Sequence, residues 1–315
     1  MKIKTIWILV LLLITGLFTA ACGSDGQRSA QSVHAKPHIV TTTTMLTDLV
    51  QVIGGDYVTV EGLMGAGIDP HLYKPSAGDV NKMSKARLII YNGLHLEGKM
   101  SDVFAQMQKA GVATLAVGET LDKSRLLESE EFDGNYDPHI WFDVQNWMLA
   151  VAKVKEALIA LEPAHKEQFE QNAAAYISKL NALHSYVQAQ AKRVPEQSRV
   201  LITAHDAFNY FGRAYGFEVK GLQGISTAAE AGTADVRELA DFIVQNKIAA
   251  IFVETSVPKK TIEALQEAVK ARGFQVQIGG ELFSDSLGES GTPTGTYTGT
   301  IEHNINTIVK ALLAE

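Results

Sequence analysis

The chain reads as an α/β protein, with two lobes of parallel sheet flanked by helices and joined by a single long rigid helix. Two observations predict it. Short apolar and β-branched runs alternate with helical patterns through both halves of the chain, as parallel strands covered on both faces do. Between the halves lies a run from about Pro163 to Arg193 whose apolar residues are Phe169, Ala173, Tyr176, Leu180, Leu183 and Val187. They fall in alternating steps of four and three, one face of a helix. Pro163 suits a first helical turn, and Pro195 ends the run by pushing Val194 out of the α region. Such a helix spans ~45 Å at 1.5 Å per residue. The same run also fits an ordinary long helix inside one large domain. Metal-ligand residue types placed on both sides of it favour the strut.

The chain begins with a targeting segment, residues 1–21. Lys2 and Lys4 precede an unbroken apolar run from Ile6 to Ile14, too short to span a bilayer and suited to a signal peptide. Ala20-Ala21-Cys22 resembles a bacterial lipoprotein cleavage site, with Thr19 where that motif usually has leucine. A plain secretory cleavage beside a stray cysteine is the alternative. Cys22 is the only cysteine, so no intramolecular disulfide forms. Residues 22–37 are rich in Gly, Ser, Ala and Gln and read as a lipidated flexible tether. Removing residues 1–21 leaves 26 basic side chains against 35 acidic ones, a charge of −9. That balance argues against nucleic acid or an anionic membrane as a partner through bulk charge.

The remaining residues are enough for two domains with real cores. An N-terminal lobe, 38–162, carries strand candidates at Ile39–Thr43, Val58–Met64, Leu88–Asn92 and Ala113–Val117. Helical patterns lie between them around Leu46–Ile53, Ala77–Ala86 and Met100–Lys109. Glu128–Asp137 reads as an acidic surface loop. After the linking helix, 163–194, a C-terminal lobe, 195–315, repeats the rhythm. Its strands read as Val200–Thr203, Glu218–Leu222, Ala249–Val253 and Gln275–Ile278. Its helices read as Ala207–Tyr215, Ala234–Asn246, Lys259–Ala271 and Tyr297–Leu313.

Four residues carry the chemistry. Asp69-Pro70-His71 and Asp137-Pro138-His139 share a pattern in which proline stiffens the turn that delivers the histidine. Two incidental turns are the plain alternative. His205 stands directly beyond the strand Val200–Thr203, where parallel sheets place functional side chains. Asp285 follows the strand Gln275–Ile278 and equally suits a turn or cap. Glu254, at the end of Ile251-Phe252-Val253, is a reserve carboxylate. His95 and Glu97, after the strand Leu88–Asn92, are placed to orient a ligand. His34 and His38 lie at the tether's end, and His165, His184 and His303 lie on helices, where solvated or hydrogen-bonded roles are the default. Imidazoles and a carboxylate suit Zn²⁺ or Mn²⁺, with no thiolate available.

Five segments carry a family resemblance: Asp69–Asp79, Asp137–Phe142, Thr203–Phe211, Gly221–Thr227 and Gly279–Gly288. From about His38 to its end the chain resembles the manganese- and zinc-specific solute-binding lipoproteins of bacterial ABC importers. The resemblance implies two α/β lobes, one rigid helix and a single metal buried between the lobes, with His71, His139, His205 and Asp285 as ligands. It implies a monomeric, lipid-anchored receptor on the outer face of the cytoplasmic membrane, serving an ABC permease and its ATPase subunit, with no organic cofactor and no nucleic acid. Some manganese-specific members have glutamate where this chain has His205.

The donor set favours Zn²⁺ on the usual affinity order. Yet the family's zinc receptors often carry a histidine-rich loop ahead of the second ligand motif. The matching stretch here, Thr120 to Asp137, has six acidic residues and no histidine. Manganese is therefore the expected cargo, with a zinc-specific uptake receptor as the alternative. A metal-dependent hydrolase and a surface adhesin are the rival classes. The dinucleotide fingerprint fails, because Pro70 stands where Gly65-Ala66-Gly67 needs a third glycine. There is no Gly-x-Ser-x-Gly, and Cys22 is spent on the lipid. Cys22→Ser is expected to block maturation and release the protein from the membrane, since stable anchoring takes more than one acyl chain. Membrane fractionation checks it: normal processing and retention of the variant would contradict the lipoprotein assignment.

Overall fold

Strands form where β-branched and apolar residues run together. In the computed structural model, which describes residues 35–128 and 135–314, β1 (His38–Thr41), β2 (Thr59–Gly62), β3 (Leu88–Tyr91) and β4 (Ala113–Ala116) pair in parallel in the order β2-β1-β3-β4. The predicted signal peptide, Cys22, His34 and the predicted tether as far as residue 34 lie outside the described residues, as do residues 129–134 and 315. Ile39, Val40, Ile89 and Ile90 are fully buried, as central parallel strands require, whereas β2 and β4 are largely half-buried edges. α1 (Thr44–Gly54), α2 (Ala77–Lys85) and α3 (Ser101–Lys109) make the connections. Thr43 caps α1 by accepting from the Leu46 N–H, and Ser76 with Asp79 closes a capping box on α2. β2 and β3 flank β1 on opposite sides, so the connections at the carboxyl ends diverge and leave a crevice there.

The second half repeats the scheme. β5 (Val200–His205) pairs in parallel with β6 (Glu218–Gln223), and β7 (Ala250–Glu254) with β8 (Gln277–Leu282). β5 packs beside β7, and α6 (Asn209–Tyr215), α7 (Thr233–Asn246) and α8 (Lys260–Lys270) complete the connections. The close approach of β6 to β5 depends on Gly221, where a Cβ would run into the backbone of His205, Asp206 and Gln223. β8 begins two residues later than the sequence predicts and continues to Leu282. Gly279 and Gly280 read as a strand end. They are instead accommodated inside the strand, Gly280 at φ +144° with Thr307 pressed against it, where the β7–β8 register shifts.

A layer of long helices completes the fold. α5 (Lys166–Ala191) follows a 3₁₀ turn at Pro163–His165 and buries Phe169, Ala173, Tyr176, Leu180, Leu183, Val187 and Ala191. The predicted face is the observed one, over a helix ~39 Å long. That face packs against α4 (Val144–Leu161), α1 and α9 (Tyr297–Leu313). α4 goes unassigned in the sequence reading, although Val144, Trp147, Val151, Val154 and Leu158 are buried at helical spacing. One continuous apolar cluster runs from Ile39 in β1 through α4 and α5 to Val309 in α9, and a second lies between β5–β7 and helices α7 and α8. Two sequence expectations need correction. His38 opens β1 and bonds Glu61 at 3.0 Å rather than ending a tether. Asp137 is fully buried rather than part of a surface loop. Truncating Leu180, which is 0% exposed, to alanine is expected to cost about 2–5 kcal/mol, while Lys179→Ala on the exposed face should stay within about 0.5 kcal/mol. Denaturant unfolding of both variants checks it.

Candidate metal centre

Each functional side chain is delivered by a strand end or a stiff turn. His71 and His139 follow Asp-Pro turns, and each aspartate folds back to accept the N–H of the histidine two residues on, at 2.8 Å from Asp69 and 2.9 Å from Asp137. His205 is the last residue of β5, and its N–H donates to Glu254, the last residue of β7, at 2.9 Å. Asp285 stands three residues beyond β8. Trp141 ties two of these segments together: its ring packs edge-on to His139 at 5.2 Å and its Nε1–H donates to the Ser284 carbonyl at 3.1 Å.

The structure brings His71, His139, His205 and Asp285 together, one donor atom from each lying within 4.8 Å of the others. Nε2 of His71 and Nε2 of His139 are 3.3 Å apart. Asp285 Oδ1 lies 3.4 Å from His139 Nε2, and Oδ2 lies 3.2 Å from His205 Nε2 and 3.9 Å from His71 Nε2. Donors held ~2.1 Å from one tetrahedral ion sit about 3.4 Å from each other, so three of these spacings already match a metal-sized void. Neither oxygen of Asp285 has a hydrogen-bond partner of proper geometry, and neither has His205 Nε2. A buried carboxylate without donors is costly, and a cation among the four donors removes that cost. Because both oxygens face imidazoles, Asp285 offers one or two coordination bonds.

The outer atoms set the rings. Asp137 Oδ1 lies 2.8 Å from His139 Nδ1, and Glu254 Oε2 lies 2.6 Å from His205 Nδ1. Each carboxylate thus orients an imidazole with Nε2 facing inward. Burial opposes a proton on His139, but Asp137 and Asp285 outweigh it and push the pKa up to about 9. Burial opposes a proton on His205 too, yet Asp285 and Glu254 raise it well above the usual imidazole value. His71, with burial dominant, falls to about 3. Burial alone would raise Asp285, but His205, His139 and His71 hold it well below the ordinary carboxylate range.

Of the sequence candidates for a supporting role, Glu254 touches a member of the cluster directly. Glu97 is buried and accepts from Thr42 Oγ1 and from the N–H groups of Asn92 and Gly93, while Asn92 Nδ2 donates to the Pro138 carbonyl at 2.9 Å. Its influence on His139 therefore passes through Asn92. His95 is exposed and lines a separate hollow with Tyr91, Phe104 and Gln108. The sequence reading missed Asp69 and Asp137 as hydrogen-bond acceptors, for which the Asp-x-His spacing is the legible signal. It also missed Trp141 and Asn92, whose roles depend on contacts distant in the chain.

These features define a cation-binding protein built on two sets of parallel strands. The chain belongs to the family described as zinc-uptake complex component A, periplasmic (ZnuA), whose model matches residues 39–311. It is 51% identical over 305 residues to the zinc-binding protein TroA of Treponema pallidum (strain Nichols), covering 97% of this chain and 96% of that protein. It is 45% identical over 293 residues to the manganese-binding lipoprotein MntA of Bacillus subtilis (strain 168), covering 92% and 94%. The solved structure of the periplasmic zinc-binding protein TroA from Treponema pallidum superposes with a TM-score of 0.86 at 52% identity, covering 88% of this chain and 99% of that one.

A metal must displace whatever protons the empty site holds. Free histidine would place that competition near pH ~6.5. Asp137 and Asp285 move it upward for His139, to about 9. The signs follow. His139 stabilises the empty fold fully below pH ~6.5 and loses this contribution as pH rises through about 9. His71 stabilises it above pH ~6.5 and loses its contribution as pH falls toward about 3. At pH 7, binding of Mn²⁺ or Zn²⁺ is expected to release protons from His139 and His205, with apparent affinity rising as pH rises toward 9. Titration calorimetry in buffers of different ionisation enthalpy checks it, and no proton release would contradict it.

Proposed function

We propose that this protein is the extracytoplasmic metal-binding receptor of an ABC importer, capturing one Mn²⁺ or Zn²⁺ and delivering it to a membrane permease driven by an ATPase subunit. Asp285 carries the reading: a fully buried carboxylate lacks hydrogen-bond donors while three imidazoles converge on it. His71, His139, His205 and Asp285 are the ligands. Residues 38–162 and 195–315 form the two lobes, joined by the helix within 163–194, and Cys22 carries the lipid that holds a monomeric receptor at the outer face of the cytoplasmic membrane. The protein is a receptor and not an enzyme. The four donor side chains belong to residues at most 5% exposed, which leaves no room at the ion for an organic substrate and disfavours the hydrolase reading.

Manganese is the transported ion in this reading, and zinc binds more tightly in a test tube. Three imidazoles and a carboxylate follow the usual affinity order toward zinc, whereas the two inward oxygens of Asp285 allow the higher coordination number that manganese prefers. The relatives named for zinc and for manganese are compatible with either cargo. Cells set which metal is available, so uptake need not follow affinity.

At free metal 100-fold above the dissociation constant, the parent protein should gain ~2.7 kcal/mol of stability. His139→Ala and His205→Ala should lose most of that thermal shift. His184→Ala should keep it, because His184 bonds Tyr215 and Gln145 on the helix face instead. A deletion strain should fail under manganese starvation; rescue of its growth by zinc alone, with cellular manganese unchanged, would reverse the choice of ion.

A further inference from the structure

His71 is held differently from the other two imidazoles. His139 and His205 each have a carboxylate against ring Nδ1, whereas among the described residues no carboxylate pairs with Nδ1 of His71. It also stands farthest from Asp285, at 3.9 Å against 3.4 and 3.2 Å. Its place therefore rests on its backbone turn, where Asp69 Oδ1 accepts the His71 N–H at 2.8 Å. The second oxygen of Asp69 accepts the Thr227 hydroxyl at 2.6 Å.

Thr227 belongs to the segment between β6 and α7, and that segment has free space on two sides. A hollow of about 1120 Å³ is lined by Ser226, Ala228 and Ala229, and another of about 430 Å³ by Asp69, Leu72, Thr227 and Val257. The loop carrying His71 is tied separately, by the Gly67 N–H donating to Ser286 Oγ at 2.8 Å. Withdrawal of Thr227 would thus loosen the Asp69–His71 turn while the start of that loop stays in place.

We propose that Thr227 is a positioning residue for the metal: its hydroxyl, acting through Asp69, keeps His71 in the coordination set, and breaking that bond is the first step of release. This rests on the metal-receptor reading above. The hydrogen bond joins distant parts of the chain, 158 residues apart, so a partner that shifts the 224–231 segment alone would reach the ligand.

The test is stopped-flow release of Zn²⁺ into excess chelator from the full chain in detergent, for the parent, Thr227→Val and Thr227→Ser, each also combined with His71→Ala. Thr227→Val should speed release about tenfold or more, as the loss of one hydrogen bond to a charged group implies. Its association rate should stay within about threefold of the parent's, since such changes fall mainly on dissociation. Thr227→Ser should restore slow release. In the His71→Ala background, Thr227→Val should add nothing. Acceleration by the same factor with and without His71, or an unchanged rate in Thr227→Val, overturns the proposal alone. A parent protein that binds no Zn²⁺ overturns it together with the reading on which it rests.

Discussion

The architecture of the site depends on one electrostatic problem, the burial of the Asp285 carboxylate with no well-aligned hydrogen-bond donor. Within a protein interior that charge is tolerated only against positive charge, supplied by protonated imidazoles or by a cation. Asp285 raises the proton affinity of His139 and His205, and two further buried carboxylates, Asp137 and Glu254, add to that effect. The result is a layered arrangement of anion, imidazole and anion, closed around a space the size of one ion. It keeps the donors pointed inward before any metal arrives, which lowers the ordering cost of binding.

The fold makes this arrangement possible because strand ends and stiff turns converge. His205 and Glu254 end neighbouring strands, and the bond between them links β5 to β7 at the site itself. His71 and His139 come from loops in which an aspartate two residues earlier pins the backbone. Behind them, α5 shares an apolar cluster with α1, α4 and α9. The long helix is therefore braced along its buried face.

Much of this was legible in the sequence, for physical reasons that differ from element to element. The face of α5 and the central strands β1 and β3 follow from apolar periodicity, which tertiary packing here reinforces. His205 was legible because the end of a parallel strand is a privileged position. β8 was misjudged, since consecutive glycines signal a break when no neighbour is in view; Thr307 and Phe252, packed against them, supply the reason for their small size. α4 carries an adequate helical pattern in its buried Val144, Trp147, Val151, Val154 and Leu158. The depth of Asp137 was hidden for a different reason: it sits at the end of an acidic stretch, and only Tyr210, which donates to its carbonyl at 2.8 Å, and Asn209, which donates to its side chain at 3.2 Å, reveal that it is interior. Contacts across more than seventy residues leave no local mark.

The proton affinity that nearby carboxylates lend to His139 and His205 makes capture of an ion an exchange. A dication that enters displaces protons, so the donor cluster gains less positive charge than the ion carries. Long-range attraction at the protein surface therefore changes less on loading than the charge of the ion alone would dictate.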